Sequence, residues 1–358
     1  MGDMGLTPEF WKGRRVFLTG HTGFKGSWLA LWLAGMGARV TGYALNPPTE
    51  PSLFDQADVA GVLEADIRGD IRDKAALNTA MATADPEVLI HMAAQPLVSD
   101  GYTDPIGTYE TNVIGTGNVL LAAFAAPNAR SIVSVATDKC YENREWVHPY
   151  RETDPMGGHD PYSSSKGAAE ILTASFTASL PHAANVGSVR AGNVVGGGDW
   201  ADMRLVPDCV RAFAAGTPVV LRRPDAVRPW QHVLEPLAGY LMLAEALAGD
   251  DGKRFQGGWN FGPAAGGELP VAGMAHRLAA AWGPGADVVE DPDSSAMHEA
   301  HLLRLDSTKA RVELGWVPVL DAGDTIDWIA AWYRGWHEGA DLAALTRTQI
   351  AAFAERLV

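Results

Sequence analysis

The chain has 358 residues, with 28 basic and 43 acidic side chains and a formal net charge of −15. That balance argues against nucleic acid and anionic membrane surfaces as partners, since both are bound largely through cations, yet a local basic pocket for a small anion can sit in an acidic protein. The two cysteines, Cys140 and Cys209, give neither a disulfide framework nor metal-ligand spacing, Met1 to Lys12 has no apolar signal core, and no apolar run is long enough to span a bilayer, so the expectation is a soluble cytoplasmic protein without a bound metal.

The first half alternates short apolar runs with helical patterns. Arg15 to Thr19 predicts a buried strand ending at Gly20, and Trp28 to Met36 an amphipathic helix closed by Gly37. Ala38 to Leu45 predicts a second strand, Glu87 to Ala93 a third, Thr111 to Ala126 a helix, and Ser131 to Ala136 a further strand. This rhythm predicts an α/β fold, a doubly wound parallel sheet of Rossmann type. Beyond about residue 190 the rhythm breaks. Gly196-Gly197-Gly198, Arg222-Arg223-Pro224 and Gly257-Gly258 interrupt it, and Leu237 to Leu247 and Asp324 to Trp336 predict helices in a smaller mixed C-terminal lobe. Nine of the 12 tryptophans follow residue 140, which suits core packing there, Trp200 and Trp230 included.

Gly20-His21-Thr22-Gly23-Phe24-Lys25-Gly26 follows the first strand and opens the first helix. Glycines allow a tight turn and close backbone approach to a pyrophosphate, and a helix N-terminus offers free N–H groups. In that context the loop predicts dinucleotide binding rather than an ordinary turn. The second strand ends Tyr43-Ala44-Leu45-Asn46, with neither the carboxylate nor the arginine that would choose between NAD and NADP. Asp70-Ile71 could hold the adenine edge, or Asp70 could cap a helix.

Tyr162 and Lys166 stand at i and i+4 at the start of a helix after Pro161, on one face. An ammonium beside a phenol is expected to lower the phenol pKa, and a phenolate can take an alcohol proton as hydride leaves for a nicotinamide. Thr137, ending a predicted strand, would face the same crevice and bond the same substrate oxygen. His298 and His301 fit no metal spacing, and Arg222 and Arg223 read as surface charges.

Thr19 to Gly26, Thr137, Tyr162 and Lys166 together resemble the extended short-chain dehydrogenase/reductase family. In that family the strand His91 to Gln95, with Ala93, Ala94 and Gln95, lies beside the cofactor, and Asn112 supports a proton relay. Longer runs resemble its CDP-glucose 4,6-dehydratase branch: Thr137-Asp138-Lys139-Cys140-Tyr141, Met156 to Tyr162, Arg190 to Trp200, Arg228 to His232 and Leu305 to Ala310. The resemblance implies NAD as cofactor, a CDP-sugar as substrate, and a homodimer formed through a helix pair that includes the Tyr162–Lys166 helix, where Gly167-Ala168-Ala169 would allow close packing. It implies a dinucleotide-binding domain over residues 1–190. Residues 191–358 would be mainly a sugar-nucleotide lobe, with some segments returning to the first domain.

The implied reaction is redox neutral. Tyr162 takes the proton of the sugar's carbon-4 hydroxyl, the ketone so formed acidifies carbon 5, water is lost across carbons 5 and 6, and hydride returns to carbon 6. The product is a 4-keto-6-deoxy sugar. Related dTDP-sugar dehydratases carry an Asp-Glu pair where this chain has Asp138-Lys139. Asp138 would then be the acid, and Lys139 the base or an enolate stabiliser. Asn193, Arg204 and Arg228 follow the substrate-contacting positions, and arginine suits bidentate phosphate binding. The alternatives are another nucleotide-sugar dehydratase or 4-epimerase on the same scaffold, or a catalytically silent dinucleotide sensor.

Overall fold

A strand order of 3-2-1-4-5-6-7 organises the computed structural model, which describes residues 5–263, 267–292 and 303–357. The elements are β1 (Arg15–Thr19), α1 (Phe24–Gly35), β2 (Arg39–Ala44), β3 (Ala65–Arg68), α2 (Lys74–Ala84) and β4 (Val88–His91). There follow a helical stretch over 105–125 (α3), then β5 (Ser131–Val135), α4 (Pro161–Ser179) and β6 (Asn185–Arg190). The later part of the chain gives α5 (Leu234–Ala248), β7 (Gly257–Asn260), α6 (Ala322–His337) and α7 (Leu342–Arg356). All seven strands are parallel, with β1 between β2 and β4. Both faces are covered, which is why β1, β4 and β5 are buried along nearly their whole length rather than at alternate residues. Chain order reverses between β1 and β4, so a crevice opens beyond Thr19 and His91 at the carboxyl ends of those strands.

The predicted elements of the first half are present, with shifted ends. α1 starts at Phe24, not Trp28, and is buried from Gly26 to Leu33 rather than amphipathic. Its outer side is covered by α7, where Trp32 meets Phe353 at 5.7 Å between ring centroids. Trp28 Nε1 donates to Gly197 O at 2.9 Å, and the Trp28 ring meets His232 edge-on. The helix predicted from Thr111 begins at Pro105, capped by Asp104, and its middle six residues, Glu110–Gly115, form a π-turn.

The second half does more than form a lobe at the edge. It supplies β7, paired with β6 from Gly257↔Gly187 to Asn260↔Arg190, and α5, which packs beneath β5 and β6. Short two-stranded pairings, such as Gln231–His232 with Val194–Val195, hold the segments beyond the strand tips. Trp200 and Trp230 are both buried, Trp200 against Tyr333 and Trp336. Arg222 is exposed and Arg223 half-buried, while His298 and His301 lie outside the described residues. No helix among the described residues is long and apolar enough to cross a membrane.

Glu235, at the start of α5, is 1 % exposed, and its Oε1 accepts the Val319 and Leu320 amides. Burial pushes its carboxyl up to about 7 from 4.5. A pKa raised on folding stabilises the fold below the unfolded value, and that contribution is lost as pH climbs through the folded one. Glu235→Gln should therefore gain stability relative to the parent between pH 4.5 and pH 8, on the order of 3 kcal/mol. Urea unfolding of both proteins at each pH is the check; a pH-independent difference would contradict the assignment.

Candidate active site

The glycine loop is shaped by what surrounds it. Gly20 has φ +77° and abuts the Met92–Ala93 backbone, with a built Cβ falling 2.7 Å from Ala93 N. A Cβ on Gly26 would collide with Gly20 O, so neither position admits a side chain. Gly23 is the N-cap of α1 and offers no side-chain acceptor to the first turn. A closely approachable backbone leading into an uncapped helix N-terminus fits the pyrophosphate of a dinucleotide. Thr22 turns its hydroxyl to Leu45 O at 3.0 Å, tying the loop to β2. Phe24 lies against Gly196. On the far side of the crevice Ala93 N donates to Thr19 Oγ1, and Ala94 and Gln95 continue the segment past β4.

Asp70 does not cap a helix; Asp73 caps α2 instead. The Asp70 carboxylate is held by Arg72, through the amide and guanidinium, which keeps it below the usual carboxylate range. Ile71 is buried beneath the π-turn, where a Cβ on Gly115 would meet its Cδ1 at 2.6 Å.

Asp160 and Pro161 fix where α4 begins. The Asp160 carboxylate accepts the Ser163 amide at 2.9 Å, and proline suits the first helical position. Tyr162 and Lys166 therefore occupy the first two turns, over the end of β5. Thr137 Oγ1 donates to Asp138 Oδ1 at 2.9 Å, and Thr137 favours the ionised form of the Tyr162 phenol. Asp138 is 2 % exposed and fills the space over Gly192, where a Cβ would overlap its carboxylate. Burial raises the Asp138 pKa, against the pull of Lys139, Thr137 and Arg228. Lys139 follows on the short turn Asp138–Cys140 and is half-buried.

The expected lowering of the Tyr162 pKa by Lys166 does not hold. Burial dominates and pushes the phenol up to about 12, with Thr137 and Arg204 acting the other way. Lys166 instead donates to Val135 O at 3.1 Å, and burial lowers its own pKa to about 8. A buried phenol loses more by shedding water than it gains from this ammonium.

Asn112 sits in the π-turn and bridges three segments. Its Oδ1 accepts Gln95 N at 2.9 Å, while its Nδ2 donates to Gln95 O at 3.1 Å and to Ser165 Oγ at 2.9 Å. The loop after β4 is thereby fixed to the helix carrying Tyr162. Asn193 adopts φ +48° on the rim, a left-handed conformation that asparagine tolerates. Arg204 pairs with Asp199 at 2.8 Å and interacts with Tyr162 and Lys25, and Arg228 interacts with Asp138. The two arginines thus act on the Thr137–Asp138–Tyr162 group through their charge, Arg204 on Tyr162 and Arg228 on Asp138.

Several tertiary contacts around the site carried no readable signal. Lys25 turns its ammonium onto Tyr240 of α5, donating to Oη at 3.0 Å, rather than pointing away with the loop. Tyr240 stands in a largely apolar stretch of its helix and reads as core. His91 links Thr19 Oγ1 at 2.7 Å to Thr116 Oγ1 at 3.0 Å, and burial drops its pKa to about 3, so it is a neutral tether. Beneath the site Arg190 grips Glu170 of α4 through Nε at 3.0 Å and Nη2 at 2.9 Å. Its Nη1 donates to Tyr141 Oη at 2.6 Å, which donates on to Asn260 of β7.

Asn112→Leu removes all the bonds that couple the Gln95 segment to α4 and strands buried partners. It should destabilise the fold by about 2–4 kcal/mol in urea unfolding; a loss below 0.5 kcal/mol would mean that the bridge is dispensable.

Residues 16–258 match the NAD dependent epimerase/dehydratase family. The chain is 46% identical to a CDP-glucose 4,6-dehydratase of Salmonella typhimurium over 97% of this chain and 98% of that protein. It is 30% identical to a dTDP-glucose 4,6-dehydratase of Streptomyces antibioticus, over 89% of this chain and 92% of the other. The crystal structure of a dTDP-glucose 4,6-dehydratase from Streptomyces venezuelae, with NAD bound, superposes with a TM-score of 0.75 at 25% identity, covering 92% of this chain and 99% of that one. With its switch-point crevice, glycine loop and Tyr162–Lys166 helix, the chain belongs to the NAD dependent epimerase/dehydratase family.

Proposed function

We propose that this protein is a lyase that converts CDP-glucose to CDP-4-keto-6-deoxyglucose. The observation that carries the reading is the meeting of Tyr162, Thr137 and a buried Asp138 in one chamber, with Lys139 beside them. The 46% identity to a CDP-glucose 4,6-dehydratase over nearly the whole chain supports the choice of nucleotide. In this reading residues 1–190 are the dinucleotide-binding part. Residues 191–358 bring Asn193, Arg204 and Arg228 to the sugar nucleotide while returning β7 and α5 to the sheet.

The loop Gly20 to Gly26 holds the NAD pyrophosphate, with Ala93, Ala94 and Gln95 lining the facing wall. Bound there, NAD supplies a hydride acceptor toward sugar carbon 4 and a hydride donor toward carbon 6. Tyr162 removes the carbon-4 hydroxyl proton. Its raised pKa means that the phenol must first give up its own proton to solvent so that it meets the sugar as phenolate, a loss that the Arg204 charge favours. Asp138, whose pKa burial raises, is the acid that gives a proton to the carbon-6 oxygen as water leaves. Lys139 takes the carbon-5 proton or steadies the enolate, and carbon 5 is reprotonated when carbon 6 is reduced. The net traffic is one proton from the carbon-4 oxygen to the carbon-6 oxygen. Thr137 is hydrogen-bonded to Asp138, the group that delivers it, and acts on Tyr162, the group that receives it.

A homodimer is part of the proposal. Ile106, Ile114 and Leu121 on α3 and Ile171 on α4 are exposed apolar side chains on two adjacent helices. Gly167 does not serve this face, since it packs inward on Cys140 and Gly157. A second copy laid across the same helices would bury the exposed residues in a four-helix contact. A cytoplasmic location is also proposed, supported by two cysteines that are buried and unpaired.

Mixing the protein with NAD+ and CDP-glucose should give a product lighter by one water in mass spectrometry. Isomerisation without mass change would make the protein an epimerase, and NAD binding without turnover would make it a sensor. Lys139→Ala should retain carbon-4 oxidation and lose dehydration by at least about 100-fold; unchanged turnover would remove Lys139 from the mechanism. Gly192→Ala, which displaces the Asp138 carboxylate, should slow water loss about 100-fold or more while leaving NAD affinity within about twofold.

A further inference from the structure

The segment after β4 is held by a closed circuit of hydrogen bonds whose directions can be worked out atom by atom. Thr19, the last residue of β1, is buried, and its Oγ1 accepts Met92 N at 3.1 Å and Ala93 N at 3.2 Å. A hydroxyl has two acceptor sites and one proton. Both acceptor sites are filled, so the proton goes to the remaining neighbour, His91 Nδ1 at 2.7 Å. On the other side of the ring Thr116 Oγ1 donates to Asn112 O at 2.7 Å, because a carbonyl can only accept. Its one proton is committed there, so it accepts from His91 Nε2 at 3.0 Å. The two sides fix the same tautomer from independent partners, with Nδ1 bare and Nε2 protonated.

Asn112 closes the circuit. In a regular helix the Thr116 amide would bond Asn112 O. In the π-turn that amide turns to Val113 O, and the Thr116 hydroxyl serves Asn112 O in its place. The Asn112 side chain then accepts Gln95 N and donates to Gln95 O. Bonds that leave the segment 92–95 at Met92 and Ala93 thus return to it at Gln95. The same segment faces the cofactor loop, where Gly20 stands so close to the Met92–Ala93 backbone that no Cβ would fit. We propose that His91 is a positioning residue of the cofactor crevice, whose Nε2–H tautomer holds the wall 92–95 at the spacing from Gly20 that NAD requires. A neutral imidazole suits the place because it accepts at one edge and donates at the opposite one. A second N–H on the ring would point at Thr19 Oγ1, whose acceptor sites are filled, so His91 carries no proton for the reaction. The inference rests on the NAD-dependent reading of the site and not on the identity of the sugar.

Neither measurement needs the sugar. Histidine-selective 15N labelling of the full chain reads the tautomer by NMR at neutral pH, and calorimetry at a temperature where every variant is folded reads NAD+ affinity. In the parent, His91 should show a pyridine-type Nδ1 and a pyrrole-type Nε2. Thr116→Val keeps the shape of the side chain and removes the hydroxyl. It should shift that Nε2–H signal, which identifies it among the histidines, and weaken NAD+ binding on the order of tenfold. Thr116→Ser restores the hydroxyl and should bind NAD+ within about twofold of the parent. His91→Phe, which fills the space without a polar atom, should lose at least as much affinity as Thr116→Val. A histidine that only filled the core would leave the folded Thr116→Val protein with the parent's affinity. A protonated Nδ1 in the parent, no histidine signal moved by Thr116→Val, parent affinity in Thr116→Val, or an equal loss in Thr116→Ser would each overturn the proposal. A parent that binds no NAD+ would overturn the cofactor reading together with it, whereas a protonated Nδ1 in a protein that binds NAD+ sinks this inference alone.

Discussion

The Glu170–Arg190 pair fixes α4, the helix that carries Tyr162 and Lys166, to the sheet. Glu170 lies one turn beyond Lys166 on α4, and Arg190 ends β6, so the two-toothed contact between them sets the height of the helix over the strand tips. Both side chains are about 5 % exposed, a setting in which an unpaired charge would be strongly unfavourable. The arginine has a further donor for Tyr141, which in turn reaches Asn260 on the outermost strand. A displacement of α4 would break a buried fork of hydrogen bonds before it moved Tyr162. The Asn112 bridge provides a second fixed point near the start of the same helix, against the segment after β4. Between these two anchors Tyr162 and Lys166 are placed by the scaffold and not by loops.

Within that frame desolvation, more than charge pairing, sets the character of the site. It raises Asp138 and Tyr162 and lowers Lys25, Lys166 and His91, so each group moves toward its neutral form. The result reconciles a protein of net charge −15 with anionic ligands. The field that matters is local: a helix N-terminus, two arginines and two partly titrated lysines inside a crevice where water screens little.

Much of this was legible in the sequence, for physical reasons that can be named. Arg15 to Thr19 read as a buried strand because both faces of the sheet are covered. Gly20 to Gly26 read as a cofactor loop because steric exclusion at Gly20 and Gly26 demands glycine. Pro161 marked the start of α4 because proline suits the first helical turn, and the structure adds Asp160 as its cap. What stayed hidden depends on distant partners. Gly257-Gly258-Trp259-Asn260 has no strand signal of its own and becomes β7 only by pairing with β6. The π-turn around Asn112 and the inward path of Lys25 toward Tyr240 are tertiary outcomes as well. The sequence-based pKa argument for Tyr162 failed because spacing along a helix reports proximity of charges and says nothing of the solvent lost on burial.

α7 packs on α1, with Phe353 set edge-on against Trp32, while β7 and α5 close the other flank of the sheet. The cofactor helix is therefore roofed by residues made long after it. During synthesis on a ribosome the nascent first half presents α1 with its apolar outer side bare, and that side stays bare until the segment around Phe353 emerges. The interval before closure is then when the chain is most open to aggregation or to the attention of chaperones.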